Sequence, residues 1–203
     1  MQYIIKLQRA ISTSSIEKMT NITIRIFTSF VVAVGMLGAL GGCTSHKPIL
    51  VSLDGISFPS PIIQRRAGIY IAPETRLLQY NPGNLIRVHV GEGFVDYTKT
   101  VMSKLFQSAE LVDQLNIGST QQNIDFWILG EITDIQSNGI TTCMIKAQWT
   151  VLDQSGRLIW KEAYASIGEV EFPTPSVSQK CLTKAFHNHF SALVSKLKSV
   201  QLQ

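Results

Sequence analysis

The 203-residue chain has no run of like charges, no internal repeat at a fixed period and no low-complexity tract. The first absence removes the usual mark of a charged interaction tail. The second excludes solenoids and propellers, and the third excludes a chain dominated by compositional linkers. Cysteine is scarce, with only Cys43, Cys143 and Cys181. Their spacing is that of neither a metal site nor a redox C-x-x-C pair. The sequence also lacks G-x-S-x-G, a P-loop, H-E-x-x-H and a dinucleotide fingerprint. His187 and His189 are two apart on a predicted helix, so they point to different faces and make a poor metal pair. His46 falls in a predicted tether. Glu131, Asp134 and Asp153 lie on or near predicted strands, with no spacing that pairs carboxylates. We assign no catalytic residue, no metal ligand and no cofactor, and the chain reads as not an enzyme.

What is present begins with a leader. Ile26 to Leu40 carry no charge, Arg25 precedes them, and Gly41-Gly42-Cys43 follows. A basic flank, an apolar run and then small residues is the layout of a secretory signal peptide. Counted from Met1 the leader is 42 residues long; counted from Met19 it is 24. The second length fits signal peptides better, so Met19 is the expected true start. Leu40-Gly41-Gly42-Cys43 resembles the lipobox of bacterial lipoproteins. Gly41 and Gly42 let an extended backbone enter a membrane peptidase, which cuts between Gly42 and Cys43. The Cys43 thiol and the freed amine then carry palmitate-type acyl chains, and two or more chains anchor a protein stably. The competing readings are an uncleaved membrane helix from Ile22, which nearly reaches the length needed to span, and an ordinary cleaved signal. Thr44 follows the cysteine rather than Asp. By resemblance to enterobacterial sorting, that implies the outer membrane, facing the periplasm, with the inner membrane as the alternative.

The leader holds four of the 18 basic residues and one of the 14 acidic ones, so the overall charge of +4 falls to about +1 beyond it. Nucleic acid is therefore not an expected partner. About 160 residues remain, enough for one domain with a real core. With Cys43 acylated, Cys143 and Cys181 form an even remainder, which suggests a disulfide in an oxidising compartment. The alternative is two buried, unpaired thiols.

Residues 43–67 read as a lipidated tether with a short strand near Ile49–Leu53. Their apolar residues, among them Ile49, Ile56 and Phe58, are too many for a pure spacer. Residues 68–203 read as one α+β domain. The run 68–73 is strand-like, 81–84 is a turn, and Ile86, Val88 and Val90 alternate with polar residues as in a half-buried strand. His89 then belongs to the polar face. Gly91-Glu92-Gly93 breaks that strand. Phe94, Tyr97, Val101 and Leu105 recur at helical spacing, which predicts a helix over 94–108 with Asp96 in its first turn. A short strand is expected at 110–113. Strands at 125–136, 140–153 and 157–170 form a meander through Asn138-Gly139 and Gln154-Ser155-Gly156. Pro173 and Pro175 end the sheet. Ser176 and Gln179 suggest a capping box for a second amphipathic helix over 177–199. The simplest arrangement is a mainly antiparallel sheet of four to five strands with both helices on one face. Phe126, Trp127, Ile128 and Leu129 are apolar on both faces of their strand. That fits a central strand covered on both sides, or a surface for a partner or a hydrophobic ligand.

The lipobox, "VGEG" at 90–93, "SKLFQSAELV", "DFWILGEI" and "AQWTVLDQSGRLIWKEAY" form one series, ending in the helix "AFHNHFSALVSKL". It includes the hairpin pattern D-x-x-G-x-x-[IV]-W at Asp153, Gly156, Ile159 and Trp160. This series resembles the small envelope lipoproteins of the ABC-type transport auxiliary kind. The 44–67 segment and the 74–84 turn depart from that pattern. The resemblance implies one sheet with two helices, no catalytic residues, and assistance to a complex that spans the periplasm. The expected function is a lipid-anchored accessory subunit of an envelope transport or assembly complex. A periplasmic carrier of lipid or another hydrophobic ligand is the alternative, and a pocket lined by Trp127, Trp149 and Phe186 would favour it.

Overall fold

A computed structural model of the chain describes residues 45–59, 63–83, 86–118, 123–138, 141–171 and 177–200. The chain divides into two compact units, Met1–Cys43 and Thr44–Gln203, and every described residue belongs to the second. The expectations placed on Met19, Gly42, Cys43, Pro173, Pro175 and Ser176 lie outside the described residues.

In chain order the elements are β1 (Ser45–Pro48), β2 (Ile63–Ile71), α1 (Pro73–Arg76), β3 (Gln79–Gly83), β4 (Ile86–His89), α2 (Val90–Leu105), β5 (Phe106–Val112), β6 (Phe126–Ser137), β7 (Thr142–Asp153), β8 (Leu158–Glu169) and α3 (Val177–Ser199). The class is α+β, with strands in two sheets. The larger has the order β5-β2-β6-β7-β8, and the smaller β1-β4-β3.

The meander forms as its turn residues dictate. At the β7–β8 turn the Asp153 carboxylate accepts the amides of Ser155 and Arg157, both at 2.9 Å, and the Ser155 hydroxyl at 2.6 Å. These bonds hold its pKa below the ordinary carboxylate range, the Ser155 hydroxyl contributing most. Gly156 takes φ +85°, a region that side chains resist. The Asp and Gly of the hairpin pattern are thus turn chemistry.

The expectation of a mainly antiparallel sheet needs correction. β2 runs parallel to both β5 and β6, and β1 runs parallel to β4. The reason is connectivity. Helix α2 carries the chain back along the sheet before β5 begins, and such a crossover returns a strand in the same direction. The alternation at Ile86 and Val88 matches β4, but its partners β1 (SHKP) and β3 (QYNPG) are short and largely polar and carry no strand signal, so the small sheet itself is not legible in the sequence.

Helix α2 also begins earlier than its periodicity suggests, at Val90, so Glu92 rather than Asp96 lies in its first turn. Gly91 and Gly93 read as breakers, yet they sit inside the helix because neighbours press on them. A Cβ at Gly91 would strike the carbonyls of Thr75 and Arg76, and one at Gly93 would strike Ile49.

Both long helices cover one face of the large sheet. Phe94, Tyr97, Val101 and Leu105 from α2 meet Leu182, Phe186, Phe190 and Leu193 from α3 over Ile128, Ile145, Trp149 and Val151. Trp127 lies on the opposite face with Val112 and Ile124, beside the half-buried Tyr70, Leu115, Leu129 and Leu152. Two apolar faces on β6 follow from this double cover.

The segment 45–59 is fixed at many points. Ile49 and Ile56 are buried in the main core. The Gln179 side-chain amide donates to the Pro48 carbonyl at 2.7 Å, so Gln179 holds this segment against α3. The Ser52 amide donates to the Tyr97 hydroxyl at 3.0 Å, and Lys198 reaches the Ser57 carbonyl. The segment is a strap across α2 and α3.

Candidate functional site

Cys143 on β7 and Cys181 on α3 are joined by a disulfide, with their Cα atoms 5.6 Å apart. That spacing is ordinary for a bridge. Both residues are buried, and the bond fastens the start of the last helix to the middle of the meander.

Just over two turns along α3 from Cys181, His189 is buried in a polar network that sequence reasoning missed. The Trp149 indole N–H donates to His189 Nε2 at 2.9 Å. His189 Nδ1 lies 3.2 Å from the Ser166 hydroxyl. Because the indole can only donate, Nε2 accepts and the Nδ1–H donates to Ser166. The Tyr164 ring stacks on the imidazole at 4.3 Å, and its hydroxyl donates to the His189 carbonyl at 3.3 Å. Burial lowers the His189 pKa to about 3, so the ring is neutral at physiological pH. A neutral histidine with both nitrogens engaged is a structural group with no lone pair to offer a substrate. In the sequence it was one more position on an apolar helical stripe, and no local signal marked its partners, which are 23 and 40 residues away.

A second histidine pair lies at the surface. His46 Nδ1 and His89 Nε2 are 2.8 Å apart, and His89 Nδ1 is 3.1 Å from the Glu92 carboxylate. The pattern runs from His46 through His89 to Glu92 and ties β1 to the first turn of α2. Among the described residues no group of three His, Cys, Asp or Glu side chains could hold a metal ion.

The surface expected at Phe126, Trp127, Ile128 and Leu129 is not on the outside. Phe126 is 8% exposed, Trp127 2% and Ile128 0%, while Leu129 is half-buried. The central position of β6 accounts for its hydrophobicity. Trp127 also faces away from Trp149 and Phe186 across the sheet, so these three cannot line one pocket. Trp149 instead packs on Phe94 at 5.2 Å and on Phe190 at 5.9 Å, and Tyr97 stacks on Phe190 at 5.0 Å. Two surface grooves are described, of about 340 and 420 Å³. Leu78, Tyr80 and Ile132–Ile135 line the first, and Gln136–Asn138 and Thr142–Met144 the second.

The open surface lies on β8. Leu158 is 56% and Ile167 51% exposed. Ile167 pairs with Met144, Ala165 with Lys146, and Ala163 with Gln148. These residues share the sheet face opposite the helices, beyond the patch that Trp127 and its neighbours fill. β8 is also an edge strand. No helix among the described residues is long and apolar enough to cross a membrane.

No family model matches the chain, and no curated protein matches it in sequence. Solved structures match its fold. The crystal structure of protein XCC0632 from Xanthomonas campestris, described as DUF330, aligns with a TM-score of 0.55 at 9% identity, covering 76% of this chain and 99% of that one. An uncharacterized protein aligns with a TM-score of 0.50 at 11% identity, covering 75% and 99%. Both likenesses concern the fold alone. Lipoprotein GNA1162 from Neisseria meningitidis aligns at a TM-score of 0.32 and 8% identity, covering 66% and 99%.

Proposed function

We propose that this chain is a lipid-anchored, non-enzymatic accessory subunit of a bacterial envelope transport or assembly complex, similar in kind to the ABC-type transport auxiliary lipoproteins. Acyl chains on Cys43 hold it to a membrane, on the periplasmic side of the outer membrane in the first instance. Confinement raises its concentration beside a partner in the same envelope. The domain then acts by docking.

One observation favours docking over cargo transport: the filled interior beside an open sheet face. Phe94, Tyr97, Trp149, Phe186 and Phe190 occupy the space between helices and sheet, where a carrier would keep a cavity. The outer face of β7 and β8 offers Met144, Ala163, Ala165 and Ile167 beside an unpaired strand edge. A partner strand or a flat apolar surface can use both. This face replaces Phe126–Leu129 as the expected contact.

The test is to crosslink cells mildly, extract the membranes in detergent, purify the lipidated protein and identify what co-purifies in near-equal amount. A stoichiometric envelope complex, lost with Ile167→Asp, is the expected result. Bound lipid with no protein partner would overturn docking in favour of the carrier.

A further inference from the structure

We infer that the three-stranded sheet is a membrane seat, and that Ser45–Pro48 and Ile86–His89 rest among phospholipid headgroups. The inference rests on acylation of Cys43.

Strand β1 starts at Ser45, two residues beyond the acylated position. Two extended residues reach at most about 7 Å. The headgroup layer on one side of a bilayer is itself roughly 5–7 Å deep. Ser45 can therefore stand no farther out than about the outer margin of that layer.

β1 pairs residue for residue with β4, from Ser45 opposite Ile86 to Pro48 opposite His89. Just past β1, Ile49 is buried against Gly93 and the Pro48 carbonyl is held by Gln179. The His46–His89 contact adds a side-chain tie. A leash this short on a strand this firmly held fixes which end of the domain meets the lipid. It is the end where β1 and β4 begin.

Strands β1, β3 and β4 contain Lys47 and Arg87 and no Asp or Glu. Neither cation makes an ion pair among the described residues. The Glu92 carboxylate is engaged by His89, one residue beyond Val88, the register partner of Lys47. Lys47 and Arg87 project from opposite faces of the small sheet, and a cation on either face complements anionic phosphate within the roughly 10 Å over which a bilayer's surface potential falls off. β1 is also an outer strand, so one row of its backbone groups faces away from β4.

The experiment uses the full lipidated protein on vesicles of phosphatidylethanolamine and phosphatidylglycerol, with the unacylated Cys43→Ser protein in solution as reference. Intact-mass measurement first establishes acylation. Hydrogen exchange is then followed by peptide. Peptides covering 45–48 and 86–89 are expected to exchange about tenfold more slowly on the vesicles, while those of β7 and β8 exchange alike in both states. Lys47→Glu with Arg87→Glu, still acylated, is expected to reverse most of that protection. An acylated protein with unchanged exchange at 45–48 and 86–89 overturns the seat and leaves the anchor intact. An unmodified Cys43 overturns the anchor and the seat together. Equal protection in the charge-reversed protein overturns the part assigned to headgroup phosphate.

Discussion

His189 shows how a single buried group sets the response of the fold to acid. Its pKa is about 3 when folded, against an ordinary value of 6.5. Below pH 6.5 the unfolded chain takes up a proton that the folded chain refuses. The stabilisation from a neutral His189 is therefore complete above pH 6.5 and is lost progressively as the pH falls towards 3. The loss between pH 7 and pH 5 is expected to be about 2 kcal/mol, measured by urea unfolding at each pH. His189→Phe should lower stability at pH 7, because the Trp149 N–H and the Ser166 hydroxyl lose their partner. It should also flatten the pH dependence over that window, and an unchanged slope would count against this account. Gly156 offers a second residue-scale test. Its φ of +85° makes Gly156→Ala cost roughly 1–2 kcal/mol, read as a shift in the denaturant midpoint. Neither effect was legible in the sequence to the same degree. Gly156 announced itself through its place in a turn, whereas His189 is defined by partners on two other strands.

At the scale of elements, the disulfide carries the clearest prediction. It joins positions 38 residues apart, and closing a loop of that size is worth about 4 kcal/mol in the chain-entropy model. Unfolding of the Cys143→Ser, Cys181→Ser double variant, or of the reduced protein, should show a loss of that order. The elements themselves were legible where neighbours in sequence are neighbours in space. The strands β6, β7 and β8 and the helix α3 lie within a residue or two of their expected limits, because hairpin turns and helical stripes are local signals. Strand direction for β2 was hidden, since alternation is the same in parallel and antiparallel pairs. The start of α2 was misjudged because Gly91 and Gly93 are demanded by Thr75, Arg76 and Ile49, all distant in the chain. Residues 126–129 illustrate a different limit. Hydrophobicity on both faces of a strand marks either cover or invitation, and only the positions of Val112, Ile124 and the helices decide between them. The 45–59 segment read as a tether for a similar reason: its partners lie on helices some 45 and 130 residues away.

For the molecule as a whole, the buried aromatic cluster and the open outer face of β7 and β8 separate two kinds of substitution. Ile167→Asp, at a position 51% exposed, should leave the unfolding midpoint within about 0.5 kcal/mol of its original value while abolishing co-purification of the partner. Phe190→Ala, in the fully buried aromatic cluster, should cost about 3–5 kcal/mol, and any loss of partner would then follow from unfolding. Measuring both stability and capture for each variant distinguishes the two outcomes.

The placement of β2 in mid-sheet has a consequence for the order in which the protein matures. Residues 63–71 are hydrogen-bonded on both sides, to a strand that begins at Phe106 and to another that begins at Phe126. A chain delivered from its N-terminal end presents this segment first, before either flanking strand has emerged. Ile69 and Ile71, which end fully buried, must wait exposed until the chain has emerged through Gly130, the β6 partner of Ile71. Such non-local pairing is slow to form and open to capture by other chains. With Cys43 acylated as proposed, attachment at the N-terminal side would hold this waiting strand close to a surface throughout its vulnerable interval, so assembly would be at its most exposed beside the proposed mooring.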